Sequence, residues 1–264
     1  MSTIEIRGPL EIEHDGDIAR VWLNRPAQLN ALDTAALATV AEVFASFSTD
    51  FGVKAVILGG RGRAFSAGAD RKASPGGDRM SLGSGASDRE RGWWAQLGHR
   101  AVAAIAGCEV PVVARVQGWC VGGGLALALA ADFRIAGADA RFSIPEVDLG
   151  IPLAWGATAR LIDEIGAARA RELIIMCDAI DATEAARLGV VHRCVPDDEL
   201  DATVESWARR LAAKPEMAVH LERAKFRAYA TRSRLGDFTE TDGQLLMAAS
   251  RTPTAKAAFR GLDT

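Results

Sequence analysis

The chain has 264 residues, 49% of them hydrophobic and 25% charged, with a formal net charge of −3. That composition excludes a disordered chain, and charges of both signs scattered along it give no basic field for nucleic acid. The length is enough for a substantial core, divided at roughly 150 residues per domain into one large unit or two smaller ones.

Residues 1–8 carry Glu5 and Arg7 and lack the apolar stretch of a secretory signal, so no export is expected. Two β-type runs follow, residues 10–14 and 18–24, on either side of Asp15-Gly16, a dipeptide suited to a tight hairpin turn. Asp33 then precedes Leu37, Val40, Ala41, Phe44 and Phe47, an apolar set at helical spacing behind an acceptable N-cap. A short buried strand is expected over residues 53–58. Residues 74–87 are rich in Gly and Ser and read as a loop, before a helix over residues 91–106. Residues 112–116 are β-branched and strand-like, residues 122–131 small and helix-compatible, and residues 133–136 a further strand. Alternating strands and helices define an α/β core. Beyond residue 154 the pattern turns almost wholly helical, with Leu200, Val204, Trp207 and Leu211, then Val219, Leu221 and Phe226, at intervals of three to five.

The most apolar stretch, residues 110–131, contains Arg115, Gln117 and three consecutive glycines and ends at Asp132, which argues for core rather than a membrane span. Cys108, Cys120, Cys177 and Cys194 are far apart and form no Cys-x-x-Cys pair, so the expected setting is a reducing cytoplasm.

Three segments invite a chemical reading: Asn24-Arg25-Pro26-Ala27-Gln28-Leu29-Asn30-Ala31-Leu32, Ala64-Phe65-Ser66-Ala67-Gly68-Ala69-Asp70, and Gly118-Trp119-Cys120-Val121-Gly122-Gly123-Gly124. Small residues on a strand-to-helix turn leave backbone N–H groups open to a ligand oxygen, and two such turns could form an oxyanion hole. Taken alone, the glycine triplet reads equally well as a close-packed turn, and Asp70 as an acid that caps backbone N–H groups. The spacing fits neither a dinucleotide fingerprint nor a P-loop, and no metal motif is visible. His14, His99, His192 and His220 form no constellation with a nucleophile.

In this order, and followed by Phe142-Ser143-Ile144-Pro145-Glu146-Val147-Asp148-Leu149-Gly150, the segments resemble the crotonase superfamily, the enoyl-CoA hydratase/isomerase family. The resemblance runs from the first hairpin to about residue 195, with a weaker match around Thr254-Ala255-Lys256-Ala257-Ala258-Phe259-Arg260. It implies a spiral of ββα units over residues 1–195, carrying an acyl-CoA site, and a helical trimerisation region over residues 196–264. It further implies a homotrimer or a dimer of trimers, and no cofactor beyond the CoA of the substrate. By the same resemblance Ala69 and Gly123 would donate the N–H groups that hold the thioester oxygen, Glu146 would be the acid or base, and Ala27, Gln28, Ala67, Asp70 and Lys72 lie where CoA is contacted.

The family's two-glutamate hydratases carry a second Glu at the position of Ala126, and its dienoyl-CoA isomerases carry an acid at the position of Ala154. Hydration needs one group for the water and another for the proton, so the missing carboxylate favours double-bond isomerisation by Glu146 alone. The alternatives are a hydratase or a thioester hydrolase that uses another acid, and a non-catalytic acyl-CoA-binding protein. Asp148 would share a face with Glu146 if that stretch were extended. Asp88, Glu90 and His99 near the Gly/Ser-rich segment are expected to be solvated, and Trp93 and Trp94 to divide between core and subunit contact, the alternative being that they line an acyl pocket.

Overall fold

The computed structural model describes residues 3–70, 87–233 and 242–260. Strands β1 (Thr3–Arg7), β2 (Leu10–Asp15) and β3 (Ile18–Leu23) form an antiparallel meander. The hairpin expected at Asp15-Gly16 is present, with Gly16 at φ +64°. Strand β1, absent from the sequence reading, is exposed along its whole length, so no buried face imprints a burial pattern on it. Helix α1 (Thr34–Ser46) begins at Asp33, whose carboxylate accepts the Ala36 N–H at 2.7 Å. It buries Leu37, Val40 and Phe44 as expected, with Ala36 and Val43 beside them.

From β4 (Ala55–Gly60) onward the chain repeats one unit. β4 lies in a large sheet, β5 (Ala64–Ser66) in a smaller one, and helices α2 (Asp88–Ala95) and α3 (Leu97–Gly107) follow. The next unit is β6 (Val112–Val116), β7 (Trp119–Val121) and α4 (Gly123–Ala130); the third is β8 (Phe133–Gly137), β9 (Arg141–Ser143) and α5 (Ala157–Met176). Then come β10 (Ile180–Asp181), α6 (Ala182–Leu188) and β11 (Arg193–Val195). The large sheet runs β1-β2-β3-β4-β6-β8-β11 and the small one β10-β9-β7-β5. β4, β6 and β8 are parallel in the first, and β5, β7 and β9 in the second, so each turn of the chain advances both sheets by one strand. This is the expected α/β spiral of ββα units.

The structure corrects three sequence assignments. The helix expected over residues 91–106 is two helices, broken at Gln96, whose N–H bonds back to the Trp93 carbonyl three residues earlier. The break lets α3 press Leu97, Ala101, Val102 and Ile105 into the core while α2 runs against the C-terminal helix α9 (Asp242–Ser250). The strand expected over residues 53–58 begins two residues later, at Ala55. The region after residue 154 is not wholly helical, because β10 and β11 complete the two sheets; strands of two and three residues are too short to show a period. The expected loop over residues 74–87 lies outside the described residues, apart from Ser87, which caps α2.

Adjacent residues of the large sheet serve opposite faces. Val21, Val56, Leu58, Val112 and Ala114 face the main core with α1, α3 and α4, whereas Ile18, Ala55, Ile57, Val113 and Ile135 meet α7 (Leu200–Ala212). Sandwiching on both sides explains why these strands read as continuous apolar runs. Helix α8 (Glu216–Ser233) is tied to this body by Arg223, which is 8% exposed and pairs with Asp132 at 2.8 and 2.9 Å while donating to the Cys108 carbonyl. Asp132 also takes the Val112 N–H at 2.7 Å, so one carboxylate joins helix and sheet. α9 and α10 (Pro253–Arg260) end the described chain, and no described helix is long and apolar enough to cross a membrane.

Arg134, 1% exposed, gives the fold a pH sensitivity. Its side chain donates to the Val190 and Ala131 carbonyls and lies 2.7 Å from Glu164, and its backbone N–H donates to His192 Nδ1 at 3.2 Å. Burial, and then the Arg134 charge, hold His192 below its ordinary value of 6.5. A proton is therefore bound more tightly by the unfolded chain. The stabilisation from the neutral imidazole is complete above the unfolded value and is lost as pH falls through it toward the folded one. Urea denaturation should show stability declining between about pH 7 and pH 5, with a shallower decline in His192→Asn.

Candidate functional site

The first site segment is folded by its own polar groups. The 3-10 turn Pro26–Gln28 leaves Ala27 and Gln28 exposed, and Leu29 and Asn30 adopt left-handed backbone at φ +51° and +55°. Asn30 tolerates that conformation. It is 1% exposed: its Oδ1 accepts the Arg25 N–H at 2.9 Å, and its Nδ2 donates to the Arg61 and Ala64 carbonyls at 2.9 and 2.8 Å. Arg25 reaches Asp33 at 3.2 Å and Asp70 at 3.0 Å, and so joins this turn to the second segment.

The second segment is stitched beside it. Ser66 Oγ donates to the Asn30 carbonyl at 2.8 Å and accepts the Gly68 N–H at 3.1 Å, and Ala67 N–H donates to the Leu29 carbonyl at 2.8 Å. Leu32 N–H donates to the Gly68 carbonyl at 2.8 Å, and Asp70 N–H donates to the Leu32 carbonyl at 2.9 Å. This parallel bridge uses the groups on either side of Ala69, so the N–H of exposed Ala69 points away from Leu32.

The third segment meets the second backbone to backbone. A Cβ on Gly68 would lie 2.7 Å from the Val121 carbonyl oxygen and 3.4 Å from the Gly123 nitrogen. Gly123 is the first residue of α4, where N–H groups have no carbonyl partner within the helix and the helix dipole favours negative charge. Gly122, at φ +47°, makes the sharp turn into that helix, and its N–H donates to the Ser143 carbonyl at 2.9 Å, which fixes the 143–146 segment alongside.

Glu146 closes the constellation. Its Oε1 lies 2.1 Å from where a Cβ of Gly122 would stand, so the carboxylate rests directly on the turn that precedes Gly123. Ala126, fully buried, is one helical turn beyond Gly122, to whose carbonyl its N–H donates at 3.0 Å. Residues 146–150 form turns, with the N–H groups of Leu149 and Ile151 both donating to the Glu146 carbonyl, and Asp148 is exposed. The extended stretch that would have put Asp148 on the same face is absent.

The structure brings Ala27, Gln28, Ala67, Ala69, Asp70, Gly123 and Glu146 onto contiguous segments, while Lys72 lies outside the described residues. Glu90 is exposed and completes a capping box with Ser87, whose hydrogen bonds hold its carboxyl below the usual range. His99 differs from expectation: it is only partly exposed, and its Nδ1 is shut away from solvent. The side chain of Asp88 lies outside the described residues. Trp94 packs on the core, and Trp93 is 45% exposed beneath the Arg100 guanidinium. Two residues packed against these segments, Asn30 and Trp155, had no role in the sequence reading. Asn30 was detectable only as a polar residue able to adopt left-handed backbone, and Trp155 carried no signal.

Two backbone N–H groups facing one space with a carboxylate at its edge can hold a carbonyl oxygen while a neighbouring carbon gains or loses a proton. A spiral of ββα units that seats a carboxylate on such a glycine turn has the crotonase fold. The chain belongs to the enoyl-CoA hydratase/isomerase family, whose pattern matches residues 13–262. It is 35% identical over 214 residues to the crotonyl-CoA hydratase of Syntrophomonas wolfei, covering 81% of this chain and 79% of that protein. It is 36% identical over 213 residues to the short-chain-enoyl-CoA hydratase of Clostridium acetobutylicum, covering 80% and 78%. Among solved structures, an enoyl-CoA hydratase/isomerase from Xanthobacter autotrophicus Py2 superposes with a TM-score of 0.86 at 31% identity, over 98% of this chain and 94% of that one.

A methyl group at Gly122 would collide with Glu146 and strain a left-handed turn. Gly122→Ala should therefore lower turnover of an enoyl-CoA ester by about 100-fold, the cost of a displacement of about 1 Å, while far-ultraviolet circular dichroism stays that of the wild type.

Proposed function

We propose that the protein moves a proton beside the carbonyl of an acyl-CoA thioester, with Glu146 as general acid and base and the N–H groups of Ala69 and Gly123 holding the enolate oxygen. The observation that carries this reading is the seating of the Glu146 carboxylate on Gly122, next to the half-buried Gly123 that begins α4. Each oxyanion donor is typically worth about 3 kcal/mol in the transition state, because it meets charge that develops only there. Ala27, Gln28, Ala67, Asp70 and Lys72 contact the CoA moiety, and the only CoA involved is that of the substrate.

The favoured reaction is isomerisation of a 3-enoyl-CoA. Glu146 takes a proton from C2, the electrons spread through the double bond to the thioester oxygen, and the same carboxyl returns the proton to C4. One acid suffices, and Ala126 supplies no second. Hydration is the second reading; what favours it is that the relatives from S. wolfei and C. acetobutylicum are named as hydratases.

Residues 196–264 are proposed to form the oligomerisation region of a cytoplasmic homotrimer or dimer of trimers. Leu221, Phe226 and Tyr229 on α8 are 53%, 73% and 65% exposed in the single chain, an apolar surface that a second copy would cover. Light scattering should give three or six chain masses; one chain mass would refute the assembly.

The reaction is tested with 3-enoyl-CoA and 2-enoyl-CoA esters, on wild type, Glu146→Gln and Ala126→Glu. Isomerisation should fall by at least about 100-fold in Glu146→Gln, and hydration should appear only in Ala126→Glu. Hydration by wild type at an ordinary enzymatic rate would overturn the single-acid reading.

A further inference from the structure

We propose that Trp155 is the specificity-determining residue of the acyl site: its indole forms a fixed wall beside Gly123 and confines the site to short aliphatic acyl groups. The inference rests on the acyl-CoA reading above and adds to it the size of the substrate.

Two glycines record where the ring lies. A Cβ on Gly98, within α3, would stand 1.9 Å from Trp155 Cε2. A Cβ on Gly123 would stand 2.2 Å from Cζ3 and 2.6 Å from Cη2 of the same ring. The indole therefore bridges α3 and the first residue of α4, and no side chain larger than hydrogen fits at either point while it stays there. A glycine inside a helix costs about 1 kcal/mol relative to alanine, and at Gly98 the ring accounts for it.

The ring is also held from behind. Trp155 has a left-handed backbone, φ +61°, which is uncommon for a bulky residue and persists only where its surroundings enforce it. The next residue, Gly156, at φ +71°, donates its N–H to Asp242 Oδ2 at 2.8 Å, which fastens this segment to α9. The ring packs against the main core yet keeps part of its surface open.

An oxygen bound by the Gly123 N–H lies about 2.9 Å from that nitrogen. The ring edge lies against the same residue, so acyl carbons extending from the bound carbonyl toward α3 reach the indole within a few bonds. The left-handed turn and its tie to Asp242 fix the backbone that carries the ring, and the close approach of Gly98 and Gly123 holds the ring itself. The wall is thus rigid, and a small acyl group can contact it where a long one is obstructed.

The test is calorimetric titration of CoA, butanoyl-CoA and dodecanoyl-CoA, none of which has a double bond to turn over, into wild type, Trp155→Ala and Trp155→Phe. Wild type should bind butanoyl-CoA at least about tenfold more tightly than dodecanoyl-CoA, as expected where a rigid pocket rejects added methylenes. Trp155→Ala should abolish or invert that ratio while its affinity for CoA stays within about twofold. Trp155→Phe keeps a ring in the slot and should give an intermediate ratio, so the inference stays testable if the alanine variant does not fold. A wild type without preference, or a folded variant that keeps the wild-type ratio, would overturn the role of Trp155. Absence of binding by wild type to CoA and both esters would instead refute the acyl-CoA reading itself.

Discussion

The site depends on one close approach, that of the Gly68-Ala69 backbone to the Val121-Gly122-Gly123 backbone. The Gly68 α-carbon is so near the Val121 carbonyl that a single added carbon would be 2.7 Å from it. Everything that makes the cleft chemically useful follows from that contact. It brings the end of a short bridge, at Ala69, close to the start of a helix, at Gly123, and on the proposed function these rigid main-chain donors need no reorganisation when charge appears between them.

Two kinds of support hold the contact in place. One is the pair of parallel sheets, in which β5 and β7 are neighbours in the small sheet while β4 and β6 are neighbours in the large one. The other is a polar clamp on the first segment, where Asn30 and Arg25 connect residues 25–33 to the carbonyls of Arg61 and Ala64 and to Asp70. Buried and fully engaged hydrogen bonds of this type are costly to leave unmade, which makes them effective at specifying a single loop geometry.

Around the glycine turn two side chains take separate places. Glu146 rests on Gly122, and Trp155 rests on Gly123, so two consecutive glycines seat a carboxylate and an aromatic wall. Ala126 leaves its position on the adjoining helix apolar and buried. Asp148 lies on an exposed turn. The proposal of isomerisation ahead of hydration rests on Glu146 at this turn and on an alanine at position 126.

Features that depend on neighbours in sequence were legible from the sequence by itself: the Asp15-Gly16 hairpin, the Asp33 cap, β6 to the residue, and the ordered motifs that carry the family resemblance. Each is set by turn chemistry, capping or local apolar pattern, over a few residues. Tertiary structure alone decided the short strands of the small sheet, the break at Gln96 and the turn conformation at Asp148, because strands of two or three residues and helix breaks have no period of their own. It also decided the place of Trp155. A tryptophan's identity says nothing of where its ring will lie, and the slot it fills is made by Gly98 and Gly123, which are 57 and 32 residues away in the chain.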